Sequence, residues 1–485
     1  MRGAVRNFSY NLWGQLAPML VAVVAMPLLA HHAGPDRLGF IGLAWALIGY
    51  FALLDLGLSR VVTRRIAIAH GRGLVTAERR IVTRLCVALF VAVALVSALL
   101  AVVIPVEWVI GAAAPPAIVD EARLALPILW ATVPATVVVG ILRGTLEGQQ
   151  LFGRANALRS LFGVLSFAAP IAVLPFSVAL PALIVAIAVG RYLSLIAYVA
   201  VVRRAWPTSE TPGDGVAPDG GNTLTRMLRE GAWLSVSNLV GPIMVTFDRL
   251  AIAHLLSLAA AAYYLVPQEI ALRVLVIPAA VATTIFPMLS HTGQPLERHG
   301  RISRDGLLAV ACLSLPVCIA LALFAPFLLS VWMGADFARA SGPVAAIIAV
   351  GLFANCCAQA PFAWIQAGGR SDITGKLHLL QLPVYIALLY AATIELGIVG
   401  AAIVWSARAL ADYGLLLVAS ARLFPHLRTV VSTAMKDTWV GVALLVAIVA
   451  SRVAGASPWI TGACALAGLL VAMHIAMPLL EDRRR

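Results

Sequence analysis

The sequence predicts an all-α integral membrane protein of about 14 transmembrane helices: two six-helix bundles related by a pseudo-two-fold axis, plus two C-terminal helices. Three observations predict this fold. First, 61% of the 485 residues are hydrophobic and only 12% are charged, whereas soluble domains are about 45–50% apolar. Second, apolar runs of bilayer-crossing length recur along the whole chain. Third, Lys and Arg concentrate in alternate connections between these runs.

Fourteen apolar runs approach the roughly 20 residues that a membrane-spanning helix needs. The first follows a basic start and has no small-residue cleavage site after it, so we interpret it as a retained span and not as a signal peptide. In chain order the predicted spans are 8–30, 38–62, 85–106, 124–146, 157–175, 179–202, 230–254, 260–289, 306–331, 343–366, 376–394, 397–421, 438–453 and 459–480.

The distribution of positive charge predicts the orientation of these spans. With residue 1 in the cytoplasm, and with charges near a span end counted with the adjoining segment, the cytoplasmic segments carry 26 of the 35 Lys and Arg residues, the outer loops carry four and the spans carry five. This bias predicts a cytoplasmic location for both termini. It also accounts for the net charge of +13, so the basic composition does not indicate nucleic-acid binding.

The organisation along the chain predicts two lobes. Residues 203–226 are rich in Pro and Gly, which is typical of a flexible linker. Spans one and seven both begin with Asn-Leu-x-Gly and a nearby Pro, in "NLWGQLAP" and "NLVGP". We therefore predict an N-lobe (1–202), a linker (203–229), a C-lobe (230–425) and two appended helices (426–485). Transporters built from such repeats hold their substrate between them.

Four spans carry a polar stripe on one helical face. A lipid-facing surface would be apolar, so the stripes face protein or a water-filled space. Contact between helices explains any single stripe, but four of them, in both lobes, favour an internal polar cavity. The stripes are Asn7, Asn11 and Gln15; Arg191, Ser194 and Tyr198; Asn355, Gln359 and Gln366; and His378, Gln381 and Tyr385.

All five cations within the spans are arginines, whose planar guanidinium binds phosphate through two parallel hydrogen bonds. They are therefore the candidate anion-binding residues: Arg60, Arg191, Arg249, Arg273 and Arg408. Arg249 lies three helical turns after Asn238, which predicts that both face the polar interior. Two alternatives remain open. Arg273 and Arg408 can pair with Glu269 and Asp412 one turn away, and Arg60 can extend to the headgroups.

Three acidic residues within spans are candidates for ion coupling: Glu269, Asp248 and Asp55. Glu269 is the best of them. A carboxyl group that lies beside an Arg in surroundings of low dielectric constant can change its protonation when the conformation changes. Asp248 should point towards a neighbouring helix, since adjacent residues project about 100° apart. We find no nucleotide-binding motif, metal-ligand cluster or catalytic constellation, and we predict neither a cofactor nor an enzyme activity.

Five stretches follow one another along the chain: "LLDLGLSRVVTRRIA" (53–67), "LRGTLEGQQLFGRAN" (142–156), "FDRLAIAHLLSLAAAAYYLVPQEIALRVLVIPAAVATTIFPMLS" (247–290), "IQAGGRSDITGKL" (365–377) and "GIVGAAIVWSARALAD" (397–412). In this order they resemble the polysaccharide-transport branch of the multidrug/oligosaccharidyl-lipid/polysaccharide (MOP) flippase superfamily, the branch that holds the O-antigen flippases.

The resemblance implies a MATE-like fold in the bacterial inner membrane, with two bundles in a V around a central cavity. It implies that an undecaprenyl-diphosphate-linked oligosaccharide crosses by alternating access while its lipid tail stays among the membrane lipids. Arg249 and Arg273 would meet the diphosphate and acidic sugars. H⁺ or Na⁺ are the candidate coupling ions, and a polysaccharide polymerase and glycosyltransferases are the candidate protein partners.

Two alternative functions on the same scaffold stay open, a lipid II flippase and a MATE-type drug exporter. The first span has no arginine beyond Arg6, unlike typical lipid II flippases, and no acid, unlike many drug exporters. The two appended spans, however, resemble the lipid II group. A membrane glycosyltransferase, polymerase or ligase is disfavoured, because such enzymes need a large outer loop and the longest here has about 17 residues.

Overall fold

The computed structural model describes residues 2–51, 58–71, 75–111, 114–206, 247–289, 295–454 and 457–481, and the elements of these segments are all helical. The helices are α1 (Arg2–Ala33), α2 (Pro35–Phe51), α3 (Leu58–Gly71), α4 (Val75–Val103), α5 (Val106–Ile110), α6 (Pro116–Ala131), α7 (Val133–Gly148), α8 (Phe152–Val173), α9 (Leu180–Ala205), α10 (247–255), α11 (Leu258–Arg273), α12 (Val276–Leu289), α13 (Leu296–Met333), α14 (Ala335–Ala367), α15 (Ser371–Leu423), α16 (Arg428–Val453) and α17 (Pro458–Glu481), with a 3₁₀ turn at Pro425–Leu427.

The predicted fold class is confirmed. In the described segments, ten helices are long and apolar enough to cross a membrane. One of them, Asp372–Leu423, holds 52 residues and contains two of the predicted spans. At about 1.5 Å per residue it is far longer than one crossing of a hydrocarbon core about 30 Å thick. The predicted total of about 14 spans is compatible with this set.

A glycine turn separates the two halves of α15. Gly397 has φ +62° and ψ −144°, a conformation that residues with a Cβ rarely adopt. The turn falls between the predicted spans 376–394 and 397–421. The two halves therefore run antiparallel, which brings residues about 30 positions apart in the sequence to the same depth.

Proline interrupts the helix within two of the predicted spans, 124–146 and 260–289. α6 ends before Thr132 and α7 begins after it, because Pro134 cannot donate to the carbonyl of Trp130 four residues earlier. The Thr132 hydroxyl donates to the Leu129 carbonyl at 2.7 Å and stabilises the break. A similar break separates α11 from α12 just before Pro278.

The chain forms two compact units, Met1–Ala262 and Tyr263–Arg485. In the first unit, α2 packs closely on the start of α11. A Cβ built on Gly39 would lie against the backbone carbonyl of Leu258, and the Asp36 carboxylate accepts a hydrogen bond from the Ala259 amide at 3.1 Å. The lobe boundaries predicted from the sequence stay a prediction.

In the second unit, α16 and α17 pack on α13, so the appended helices are anchored to the unit. Pro326 in α13 has no N–H to donate to the Ala322 carbonyl one turn earlier. Arg452 of α16 supplies the missing donor, with its Nη1 3.0 Å from that carbonyl. The same guanidinium also contacts the Leu323 carbonyl. A proline-freed backbone acceptor thus becomes the attachment point of α16.

Candidate functional site

A cavity of about 330 Å³ lies within the first unit, between α2, α7, α8 and α9. Three arginines from three different helices line it: Arg143 of α7, Arg159 of α8 and Arg191 of α9. Its other polar walls are hydroxyl groups and an indole, from Thr136, Ser166, Ser194, Tyr198 and Trp45. A site of this size and lining can hold a charged small ligand or a headgroup.

Close helix packing sets the direction of these arginines. The backbone of α7 approaches α3 at Gly144, where a Cβ would lie 2.6 Å from the Ser59 carbonyl oxygen. The Thr63 hydroxyl of α3 donates to the Gly144 carbonyl at 3.0 Å. Since neighbouring residues project about 100° apart on a helix, Arg143 lies on a different face of α7 from Gly144, and that face lines the cavity. On α9, the Tyr198 hydroxyl donates to the Ala155 carbonyl of α8 at 3.2 Å and holds these two walls together.

The cavity carries a surplus of positive charge. Glu147 is 3.5 Å from the Nε of Arg143, and among the described residues three guanidiniums against this one carboxylate leave a formal excess of two positive charges. Arg143 also lies close enough to Arg159 for the two to repel each other. In the described part of the chain, the Nε atoms of Arg143 and Arg191 are buried without a hydrogen-bond partner. Buried charge and unsatisfied donors are costly, and an anion bound among them would relieve both costs.

Aromatic rings form the apolar part of the wall. Trp45 packs on Phe167 with ring centroids 4.6 Å apart, and its Nε1 donates to the Ser166 carbonyl at 3.2 Å. The indole is therefore held in one orientation beside the cations. Aromatic rings next to guanidiniums give a site both an apolar surface and hydrogen-bond donors. A phosphorylated sugar can use both, because its ring has an apolar face and its phosphate oxygens accept hydrogen bonds.

The predicted stripe of span six lies in this cavity, with Arg191, Ser194 and Tyr198 all on its wall. Of the span-ten stripe, Asn355 is half-buried, and Gln359 lines a small, mostly apolar cleft of about 20 Å³ in the second unit. The side chains of Asn11 and Gln15, and the residues Asn238 and Asp55, lie outside the described residues.

The other predicted arginines take different positions. Arg249 is buried together with Asp248, whose carboxylate accepts the Arg249 backbone N–H at 2.8 Å. Arg273 and Glu269 form the intrahelical ion pair that their spacing permits, at 3.0 Å. Arg60 is exposed on α3. None of these five residues lines the 330 Å³ cavity.

The span-eleven stripe meets Asp412 in the second unit. The Asp412 carboxylate accepts a hydrogen bond from Gln381 Nε2 at 2.9 Å and lies 3.4 Å from His378 Nε2. Arg408 stacks its guanidinium over the Tyr385 ring, 5.6 Å from its centroid. The stripe therefore organises a polar cluster between the two halves of α15.

Sequence reasoning missed Arg143 and Arg159, because the charge count assigned both to the cytoplasmic connection between spans four and five. A signal for them was present. The α7–α8 turn lies at Gln149–Leu151, and the two arginines stand at similar distances before and after it. Antiparallel helices joined by a short turn place such residues at similar depth, so the pair belongs at one level of the bundle.

Comparison with known proteins agrees with this architecture. Residues 4–292 match the family described as polysaccharide biosynthesis protein. The chain is 30% identical over 408 residues, 84% of its length, to a Shigella flexneri protein whose name proposes it as an O-antigen transporter, and the match covers 95% of that protein.

Two solved structures share the fold. The lipid II flippase MurJ, in an inward closed conformation, has a TM-score of 0.71 at 12% identity, over 99% of this chain and all of that one. An inward-facing multidrug resistance MATE family transporter of the MOP superfamily has a TM-score of 0.66 at 15% identity, over 86% of this chain and 99% of that one.

Proposed function

This chain belongs to the polysaccharide biosynthesis protein family, and on that premise we propose that it is a flippase of the MOP superfamily that translocates an undecaprenyl-diphosphate-linked oligosaccharide across the bacterial inner membrane for surface polysaccharide synthesis. The lipid tail stays in the bilayer and only the polar head group passes through the protein, by alternating access. Both termini lie in the cytoplasm in this proposal, and glycosyltransferases and a polysaccharide polymerase act before and after the flippase.

The observation that carries the proposal is the cationic cavity of Arg143, Arg159 and Arg191. A diphosphate diester bears two negative charges, which equals the formal charge excess that the described residues give the cavity. Its oxygens are acceptors for the buried Nε donor of Arg191 and for the guanidiniums of Arg143 and Arg159, and charge-assisted hydrogen bonds of this kind are the strong ones. The adjacent Trp45 offers an apolar surface to the first sugar.

Loss of the protein provides the test of this function. Depletion in its native host should remove surface glycan, and the lipid-linked unit should accumulate on the cytoplasmic face of the inner membrane. The measurement is glycan staining together with mass spectrometry of the lipid extract after enzymatic probing of each face. Unchanged surface glycan, with no accumulation of the lipid-linked unit, would count decisively against the proposal.

The arginines that the sequence singled out give a second prediction. Arg249→Ala and Arg273→Ala should each leave the protein inserted in the membrane and lower glycan export by about tenfold or more, the loss expected for one charge-assisted interaction. Arg339→Ala is the matched control, because Arg339 is exposed and pairs with Asp336 on its own helix. Normal export in both test variants would remove these residues from the substrate path.

A lipid II flippase is the second candidate, because the similarity to MurJ extends over 99% of this chain, including the C-terminal helices. Both candidates move a polyprenyl diphosphate, so the cavity suits either. Rescue of a strain that lacks its lipid II flippase would favour this alternative, and so would lack of any effect on surface glycan. Drug export on the same scaffold has less support, since a cationic cavity repels cationic drugs.

A further inference from the structure

The polar cluster of the second unit sits between the two halves of α15. His378 belongs to the first half and Asp412 to the second, and the turn at Gly397 brings them together. His378 Nε2 lies 3.4 Å from the Asp412 carboxylate, while Gln381 Nε2 donates to the same carboxylate oxygen at 2.9 Å. The carboxylate is thus held in place by a residue that cannot titrate, next to one that can.

The charges around this pair leave its histidine as the variable group. In the described part of the chain, His378 contacts the Asp412 carboxylate, and Arg408 lies one turn before Asp412 on the same helical segment. Arg408 and Asp412 cancel formally, so the cluster is neutral with a neutral imidazole and carries one positive charge with an imidazolium. Histidine is the side chain that ordinarily changes charge between about pH 5 and 8.

The elements packed on α15 bring one aromatic ring to His378, and Tyr413 and His426 nearby are engaged with other partners. α14 contributes Phe362, whose ring stacks on the imidazole of His378 with centroids 6.2 Å apart. Tyr413, next to Asp412, bonds to Thr438 of α16 at 2.8 Å. In the 3₁₀ turn, His426 hydrogen-bonds His299 of α13 at 3.1 Å.

The surrounding helices enclose most of the pair. The exposed fractions of the His378 and Asp412 side chains are 21% and 13%, so each retains a small accessible surface. Both residues lie about 20–30 Å along their helices from the Gly397 turn, at 1.5 Å per residue. In the orientation predicted from the arginine distribution, this end of the helix pair is nearer the cytoplasm.

We propose that His378 and Asp412 form a proton-binding site and that transport is coupled to its loading and release. One proton from water adds to the imidazole, which becomes an imidazolium paired with the Asp412 carboxylate, and the same proton leaves to water when the pair separates. No electron transfer is involved. The proton site stands on the geometry of the second unit, and only its coupling role rests on the proposed function.

This pair suits coupling better than Glu269 and Arg273 do. The latter are one turn apart on one helix, so their 3.0 Å contact persists however that helix moves. His378 and Asp412 lie on separate helical segments, and a relative shift of these segments changes their distance. A change in distance between opposite charges changes the affinity for the proton, which is how conformation and proton binding become linked.

The first experiment measures proton binding without reference to transport. The full-length protein, labelled with ¹³C at histidine Cε1, is reconstituted in lipid nanodiscs and titrated by NMR between pH 5 and 8. The His378→Gln variant identifies the signal among the nine histidines. The Asp412→Asn variant is isosteric and keeps an acceptor for Gln381. In this variant the proton concentration at which half of His378 is protonated should be about tenfold higher than in the wild type. The same midpoint in both, or no titration of His378 in the wild type, overturns the site.

The second experiment measures coupling in proteoliposomes, with a fluorescent undecaprenyl-diphosphate disaccharide as the probe. An imposed pH gradient of one unit should change wild-type transport several-fold, and Asp412→Asn and His378→Gln should lose this response. His426→Gln is the matched control and should keep it, because His426 pairs with a histidine and not with an acid.

The outcomes separate the two proposals. The coupling role of this pair is overturned if wild-type transport does not change with the pH gradient. It is also overturned if Glu269→Gln loses the response to the gradient while Asp412→Asn keeps it. No wild-type transport of the probe removes the proposed function, and the coupling role with it. The NMR titration decides the proton site in every case.

Discussion

Glycan export is expected to fall about ten- to a hundredfold when Arg191 is replaced by glutamine, while the protein becomes more stable to heat. Arg191 lines the cationic cavity, and its Nε is buried without a hydrogen-bond partner among the described residues. One charge-assisted hydrogen bond to the diphosphate contributes roughly 1.5–3 kcal/mol, and each 1.4 kcal/mol corresponds to about a factor of ten.

The predicted loss of export and gain in thermal stability distinguish a binding role of Arg191 from a structural one. A buried charge without a counter-charge destabilises the folded protein, so the uncharged glutamine should raise the melting temperature of the ligand-free protein. A residue that merely supports the fold would lower the melting temperature and the export together. Stability given up for a binding site is a common pattern at functional positions.

The measurement pairs a complementation assay for surface glycan with thermal unfolding of the purified protein in detergent. Arg203→Gln is the matched control, because Arg203 is exposed near the end of the same helix α9. It should change neither quantity noticeably. Undiminished export by Arg191→Gln would show that the cavity does not bind the transported head group.

Gly39→Ala is expected to lower the free energy of unfolding by about 3 kcal/mol, at the upper end of the range for overpacked sites. The new methyl group would lie on the backbone carbonyl of Leu258. A backbone atom cannot rotate away as a side chain can, so α2 and the start of α11 must separate. That separation would also break the hydrogen bond from the Ala259 amide to Asp36.

Gly49→Ala on the same helix provides the control for stability. A Cβ at Gly49 has no atom within 4 Å among the contacts of the described structure, and alanine is favoured over glycine in a helix by up to about 1 kcal/mol. Thermal unfolding should therefore rank Gly49→Ala at or above the wild type and Gly39→Ala well below it. Equal melting temperatures for the two variants would mean that α2 and α11 do not pack as described.

Much of this architecture could be predicted because the underlying signals are local. Hydropathy along the chain is sufficient to predict membrane spans, since each span must bury its own backbone in lipid. The stripe of Arg191, Ser194 and Tyr198 could likewise be recognised, because residues three and four positions apart share a helix face whatever the helix packs against.

The site could be predicted only in part. The sequence identified Arg191, but it placed Arg143 and Arg159 in a cytoplasmic connection, and the structure brings all three to one cavity. It also suggested that Arg408 pairs with Asp412 along one helix, whereas Gln381 and His378 from the other half of α15 contact this carboxylate. In both cases the partner comes from a different helical segment.

The sequence by itself determined the class of the protein, its all-helical membrane fold and, in spans six and eleven, the helix face that carries the polar groups. Only the tertiary structure decided which faces meet: the three guanidiniums of the first unit, His378 against Asp412, and Gly39 against Leu258. The physical reason is that a helical period specifies direction around one axis, whereas contacts between helices depend on their depth and rotation. These are set by backbone approach at small residues and by turns such as Gly397, whose effects appear only when the helices are packed together.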